Sequence, residues 1–261
     1  MDLQGFNIAK LEEMVQTVDR SSMRIDAIIR PFMSDNLNRK QGIELCQVGK
    51  FLSLLDFPTT IVERRESPDF IITYDGEAIG LEHESILDEK IAADYRSVSH
   101  LFNDAAKLFS HKYPDIKILA NIYLSVDRFV FKKHERAALI DIIVDFISNY
   151  LHDSTSIKPD FVDSLTISKH SRVNFVYNPG AHYVESLSEE RLISAIEKKE
   201  SKIADYIKKS NLLKQWLLLT TGTYSPDSFD YGDSPFRRNI ISDYERIFLL
   251  EDFHSVLWRI K

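Results

Sequence analysis

A chain of 261 residues, 44% hydrophobic and 28% charged, is long enough to bury a substantial core and has an ordinary globular make-up. Its formal charge of −7 speaks against a protein that coats nucleic acid nonspecifically, although clustered acids at a nuclease site would contribute to that total. The single Cys46 excludes an intramolecular disulfide framework and a cysteine-based zinc site, and no apolar run is long enough to span a bilayer. Met1-Asp-Leu-Gln lacks the basic start and apolar stretch of a signal peptide, so a cytoplasmic location is expected.

Along the chain, Leu11, Met14, Val15 and Val18 recur at helical spacing, which predicts an amphipathic N-terminal helix within an extension covering residues 1–36. Such a helix offers a surface for a homodimer. From residue 37 to 261 one α/β domain is expected. A helix from about Gln41 to Asp56 ends before Pro58, and the β-branched Thr59–Arg64 stretch reads as a strand. Residues 68–74 and 77–86 form the arms of a hairpin, followed by a helix over 88–112 and a buried strand over 116–126. A helix spans 133–151, and strands are expected at 162–168 and 173–177. Ser188 opens a helix reaching about Ser210, and strands at 216–220, 246–250 and 256–260 close the chain. The interleaving favours a mixed sheet flanked by helices. The groups Lys107, Lys112, Lys117, Arg128, Lys132, Lys133 and Arg136, and Lys198, Lys199, Lys202, Lys208 and Lys209, read mostly as solvated faces.

The hairpin carries the chemistry. Asp75-Gly76 is a strong signal for a two-residue type I′ turn, because both central positions need positive φ. That turn pairs Tyr74 with Glu77, and counting outward sets Asp69 opposite Glu82 on one face, with Glu84 two residues further along it. Like charges so placed repel unless a cation compensates them, and a divalent ion is the expected occupant. Phe70, Ile72, Ile79 and Leu81 take the opposite face.

Pro68-Asp69 followed by Glu82-x-Glu84 resembles the PD-(D/E)XK, or restriction endonuclease-like, nuclease superfamily, over roughly residues 41–126. The resemblance implies an αβββαβ core, built from helix 41–56, strand 59–64, the hairpin, helix 88–112 and strand 116–126. It implies Mg²⁺ or Mn²⁺ held by Asp69 and Glu82, with Glu44 on the preceding helix as a further acid and Glu63 as its competitor. Glu84 stands where the superfamily's lysine is usual. Some of its restriction endonucleases also carry Glu-x-Glu, and in others a lysine reaches the site from a neighbouring helix.

Helix 188–210 offers that lysine. Leu192, Ile196, Ile203 and Ile207 make an apolar stripe, and at 100° per residue Lys199 falls inside it. A lysine on a buried face needs a partner, which the carboxylates would provide. Lys202 sits beside that face and Tyr206 continues it. The expected catalytic set is therefore Asp69, Glu82, Glu84, Lys199 and Lys202, with Asp69, Glu82 and Glu44 as metal ligands. The expected activity is metal-dependent hydrolysis of phosphodiester bonds, in DNA, with a role in restriction or defence suggested by family habit alone. The competing expectation is an inactive nuclease-fold protein that binds nucleic acid or a protein partner.

Overall fold

A computed structural model of the chain describes residues 21–34, 36–125, 129–178, 184–222, 226–231 and 239–261. The helix expected around Leu11–Val18 lies outside the described residues. In chain order the elements are helix α1 (21–29, running into a 3₁₀ turn at Arg30–Phe32), α2 (Arg39–Ser53), β1 (Thr59–Arg64), β2 (Phe70–Tyr74), β3 (Glu77–Ser85) and α3 (Glu89–Lys112). These are followed by β4 (Ile118–Leu124), α4 (Arg136–His152), β5 (Val162–Lys169), β6 (Asn174–Asn178), α5 (Glu189–Glu200) and α6 (Ile203–Ser210). Strands β7 (Gln215–Thr221), β8 (Arg246–Glu251) and β9 (Val256–Arg259) complete the chain. Among the described residues no helix is long and apolar enough to cross a membrane.

Where the sequence suggested one domain over 37–261, the chain divides into two compact units. The first comprises the chain up to Ile86 with Glu185–Tyr224 and Ser228–Lys261, and the second comprises Leu87–Val184 with Ser225–Asp227. The first unit holds a mixed six-stranded sheet in the order β1-β2-β3-β7-β8-β9. Strands β1, β2 and β3 form an antiparallel meander, β3, β7 and β8 run parallel, and β9 returns antiparallel to β8. This bears out the α/β expectation of a mixed sheet flanked by helices.

The assignment of elements to that sheet needs a correction. Helix 89–112 and strand 118–124 belong to the second unit, where β4 lies between β5 and β6 in a separate sheet. The neighbour of β3 is instead β7, and the helices preceding it are α5 and α6. Both β4 and β7 are short apolar strands after a helix, so periodicity alone does not distinguish them.

Each face of the six-stranded sheet has its own core. Leu45, Val48, Phe51 and Leu52 of α2 pack against Phe70, Ile72, Ile79, Leu81, Trp216 and Leu218. On the other face Leu192, Ile196, Ile203 and Tyr206 of α5 and α6 cover Leu217, Leu219, Ile247 and Leu249. Covered on both sides, β7 is buried at every position, as a central parallel strand should be. Helix α2 starts at a capping box: the Asn38 side chain accepts from the Gln41 N–H at 3.0 Å and Gln41 accepts from the Asn38 N–H at 3.2 Å. Such a cap contributes about 1 kcal/mol and sets the helix start two residues earlier than expected.

Candidate active site

The hairpin turn forms as its residues require. Asp75 and Gly76 have φ of 50° and 79°, and the ladder pairs Tyr74 with Glu77 and Phe70 with Leu81. The ladder ends at that pair, and Asp69, just before β2, reaches β3 through its side chain and feels the charge of Glu82. Gly80, between the turn and Glu82, is needed for space: a Cβ there would lie 2.2 Å from Oε1 of Gln215, the residue that opens β7.

Glu82 is the centre of the cluster and is only 4% exposed. Its Oε1 accepts from Lys199 Nζ at 2.6 Å and from the Tyr206 hydroxyl at 2.7 Å. Its Oε2 is buried without a hydrogen-bond partner. Lys199, 7% exposed, also lies 3.0 Å from Glu84 Oε2 and donates to the His83 carbonyl at 3.3 Å. Lys198 closes the other side of Glu84, with Nζ 2.8 Å from Oε1. Asp69 Oδ2 accepts from the His83 N–H at 2.8 Å, so the acid is tied to the backbone of the strand that carries Glu82.

Charge in this low-dielectric setting perturbs several groups. Burial and then repulsion from Glu82 push the Asp69 carboxyl up to about 7, against the smaller pull of the His83 N–H and Lys199. Burial alone would lower the Lys199 ammonium, but the charge of Glu82 and its hydrogen bond, with Glu84 adding to both, raise it above the ordinary lysine value. Burial opposes ionisation of Glu84 too, and its hydrogen bond from Lys198 and the charge of Lys199 more than offset this, holding it below the usual range. His83, on the opposite face, is pushed down to about 4 by burial and then by Lys199, so it is neutral at pH 7. The Tyr206 hydroxyl is raised by burial and by its bond to Glu82, and stays protonated as a donor.

Of the residues singled out in the sequence, Asp69, Glu82, Glu84 and Lys199 come together. Glu44 lies on α2, 3.5 Å from Lys40, and reaches the cluster only through its charge, which adds to the upward shift of Asp69. Glu63 is exposed and lies 3.8 Å from Arg65. Lys202 is not brought in. The helix expected to run unbroken to Ser210 is interrupted at Ser201-Lys202, where the Ser201 hydroxyl bonds the Lys198 carbonyl at 3.0 Å and competes with the helical ladder. Lys202 is exposed in that break, and the lysine beside Lys199 that touches an acid is Lys198.

Two further members were not evident from spacing. Lys198 sits at the edge of the apolar stripe, where an i,i−1 neighbour of a buried lysine could have drawn notice. Tyr244, fully buried in the segment before β8, donates to the Lys199 carbonyl at 3.3 Å. An isolated tyrosine in a polar loop gives no sequence signal of this kind.

The reverse face of β3 carries a second polar chain. His83 Nε2 lies 3.3 Å from the Thr220 hydroxyl, Thr220 bonds Gln47 at 3.4 Å, and Gln47 donates to Asp252 at 3.0 Å. It holds α2 to the C-terminal ends of β3, β7 and β8.

Among the described residues no three His, Cys, Asp or Glu side chains form a group able to hold a metal ion. Asp69 and Glu82 form a pair with one orphaned buried oxygen. No family model, curated protein or solved structure matches this chain.

Proposed function

We propose that the protein is a metal-dependent nuclease of the PD-(D/E)XK type that hydrolyses phosphodiester bonds in DNA. The observation that carries this reading is Lys199, a buried ammonium that reaches Glu82 and Glu84 from a helix packed on the sheet, as expected for a lysine supplied to such a site by a neighbouring helix. The run α2-β1-β2-β3, then α5 and α6, then β7 supplies an αβββαβ order, with Leu87–Val184 of the second unit inserted between β3 and α5.

The residues fit a divalent ion. Glu82 Oε2 is buried and unpartnered, and burial and the charge of Glu82 hold the Asp69 carboxyl high, so both would gain from a cation. Asp69 and Glu82 would hold Mg²⁺ or Mn²⁺, which when bound lowers the pKa of a coordinated water and neutralises phosphate charge. Lys199, fixed by two carboxylates and a carbonyl, keeps its proton at neutral pH. It therefore acts as a charge donor to the scissile phosphate rather than as a base. Glu84 and Tyr206 keep that ammonium and Glu82 aligned, and Tyr244 fixes the backbone that carries the lysine.

A second reading has its own support. Lys199 already neutralises Glu82 Oε1 and Glu84 Oε2, and Lys198 takes the remaining Glu84 oxygen, as in a nuclease fold that has become a binding protein. Incubation with supercoiled plasmid and Mg²⁺ or Mn²⁺ separates the two. Nicked or linear product that disappears with EDTA and with Asp69→Ala is expected for the nuclease. Cleavage that persists in Asp69→Ala rejects this site, and no cleavage of any DNA or RNA favours the silent protein.

A further inference from the structure

The second unit has one sheet and two covering helices. Residues Ala120, Ile122, Leu165 and Phe175 of its strands are buried beneath Leu101, Phe102, Val144 and Ile147 of α3 and α4. Strand alternation sends the intervening residues to the opposite face. The ladders then group those residues into rungs. Leu119 pairs with Ser168 and Asn174, Asn121 with Thr166 and Val176, and Tyr123 with Ser164 and Asn178.

All nine residues are exposed or half-buried; Tyr123 is 42% exposed and Val176 37%. One step beyond the first rung, Lys117 and His170 follow the same alternation to the end of the face, and Arg172 lies in the turn after them, its N–H bonding His170 Nδ1 at 3.3 Å. The His170 N–H still bonds the Lys117 carbonyl there, at 3.2 Å. All three are exposed. None of these twelve positions is acidic, in a chain with 40 acidic against 33 basic residues. The nearest acid in β5, Asp163, is the extra residue of a bulge beside Ser164; it is exposed and lies 3.9 Å from Lys158.

We propose that this open face docks a single-stranded stretch of nucleic acid. The choice of ligand rests on the nuclease reading; the location rests on the face itself. A basic rung at one end suits phosphate. The amide and hydroxyl side chains of Asn121, Asn174, Asn178 and Thr166 suit the hydrogen-bonding edges of unstacked bases. Tyr123 supplies a ring on which a base stacks. From Lys117 to Tyr123 the face runs about 20 Å along the strand, room for several nucleotides. The face is too polar to seat the apolar side of an amphipathic helix.

Fluorescence anisotropy with a labelled oligothymidine, in EDTA so that cleavage does not intervene, tests the face directly. The parent chain binds, and log K falls linearly with log salt. Lys117→Ala/Arg172→Ala removes two phosphate contacts and makes that slope shallower by about 1.4. Tyr123→Ala, whose side chain is exposed and whose loss leaves the core intact, weakens binding at least about fivefold at fixed salt. The face is overturned if the parent binds no oligonucleotide, if it binds duplex alone, or if these variants keep the parent's affinity and slope. The two proposals fail separately. A parent that cuts plasmid but is indifferent to these substitutions loses the face and keeps the nuclease; one that binds through this face and never cuts loses only the nuclease.

Discussion

Replacing Lys199 by Met removes one charge from the centre of the cluster and keeps nearly all of its volume. Lys199 and Glu82 are 7% and 4% exposed, and the ammonium is 2.6 Å from one carboxylate and 3.0 Å from another. Removing one partner of a buried pair strands the other charge, which costs about 3–5 kcal/mol. In a unit of this size that lowers the melting temperature by roughly 6–20 °C. Lys198→Met is the control: its side chain is 56% exposed, and its loss should cost under about 1 kcal/mol. Chemical denaturation at pH 8 and pH 5 adds a sign. Without Lys199 the half-buried Glu84 loses a charge and a hydrogen bond that hold its carboxyl low against burial, so the penalty is full at pH 8 and shrinks as falling pH lets that group protonate. Glu82→Gln in the Lys199→Met background should recover part of the loss, with a coupling of about 0.5–3 kcal/mol. A loss below about 1 kcal/mol that is flat with pH and additive with Glu82→Gln would show that Lys199 reaches solvent and that the cluster is not held by it.

Asp69 gives a second pH signature. Its folded pKa of about 7 lies above the 3.8 of the free side chain, so its stabilising contribution is complete below about pH 4 and is lost as pH rises through about 7. Asp69→Asn should be less stable than the parent at pH 4 but more stable at pH 8, by a few kcal/mol at most; parallel stability–pH curves would contradict the assignment. Gly80→Ala drives a methyl into the Gln215 side chain and should cost about 1–3 kcal/mol, read as a lowered denaturation midpoint with unchanged slope. An unchanged midpoint would mean that Gln215 moves aside freely.

The legible parts of this protein are those written in local pattern. Asp75-Gly76 specifies its turn through two positive φ angles, and from it the meeting of Asp69 with Glu82 follows by counting. Lys199 betrays itself by standing among Leu192, Ile196 and Ile203 on a helical stripe. Strand order is a different matter. The edge of β3 is filled by β7, whose Leu217 sits beside Glu82, while β4, the first apolar strand after β3 in sequence, pairs elsewhere. Nothing in either strand's composition names its partner, because hydrogen-bonded neighbours share a backbone pattern and not a side-chain code. Lys202 was misplaced for a related reason. The helix breaks at Ser201-Lys202, where the Lys202 N–H bonds the Lys199 carbonyl three residues back, and periodicity carried across that break assigns the wrong neighbour.

The separation between the acidic hairpin and its neutralising lysine has a consequence for how the molecule is made. Glu82 and Lys199 are 117 residues apart in the chain, with residues Leu87–Val184 of the second unit between them. During synthesis the hairpin leaves the ribosome first and can close within microseconds, bringing its carboxylates together with no ammonium at hand. The nascent chain must wait several seconds for the complementary charge, and until then that stretch is a high-contact-order debt held open by water and counterions.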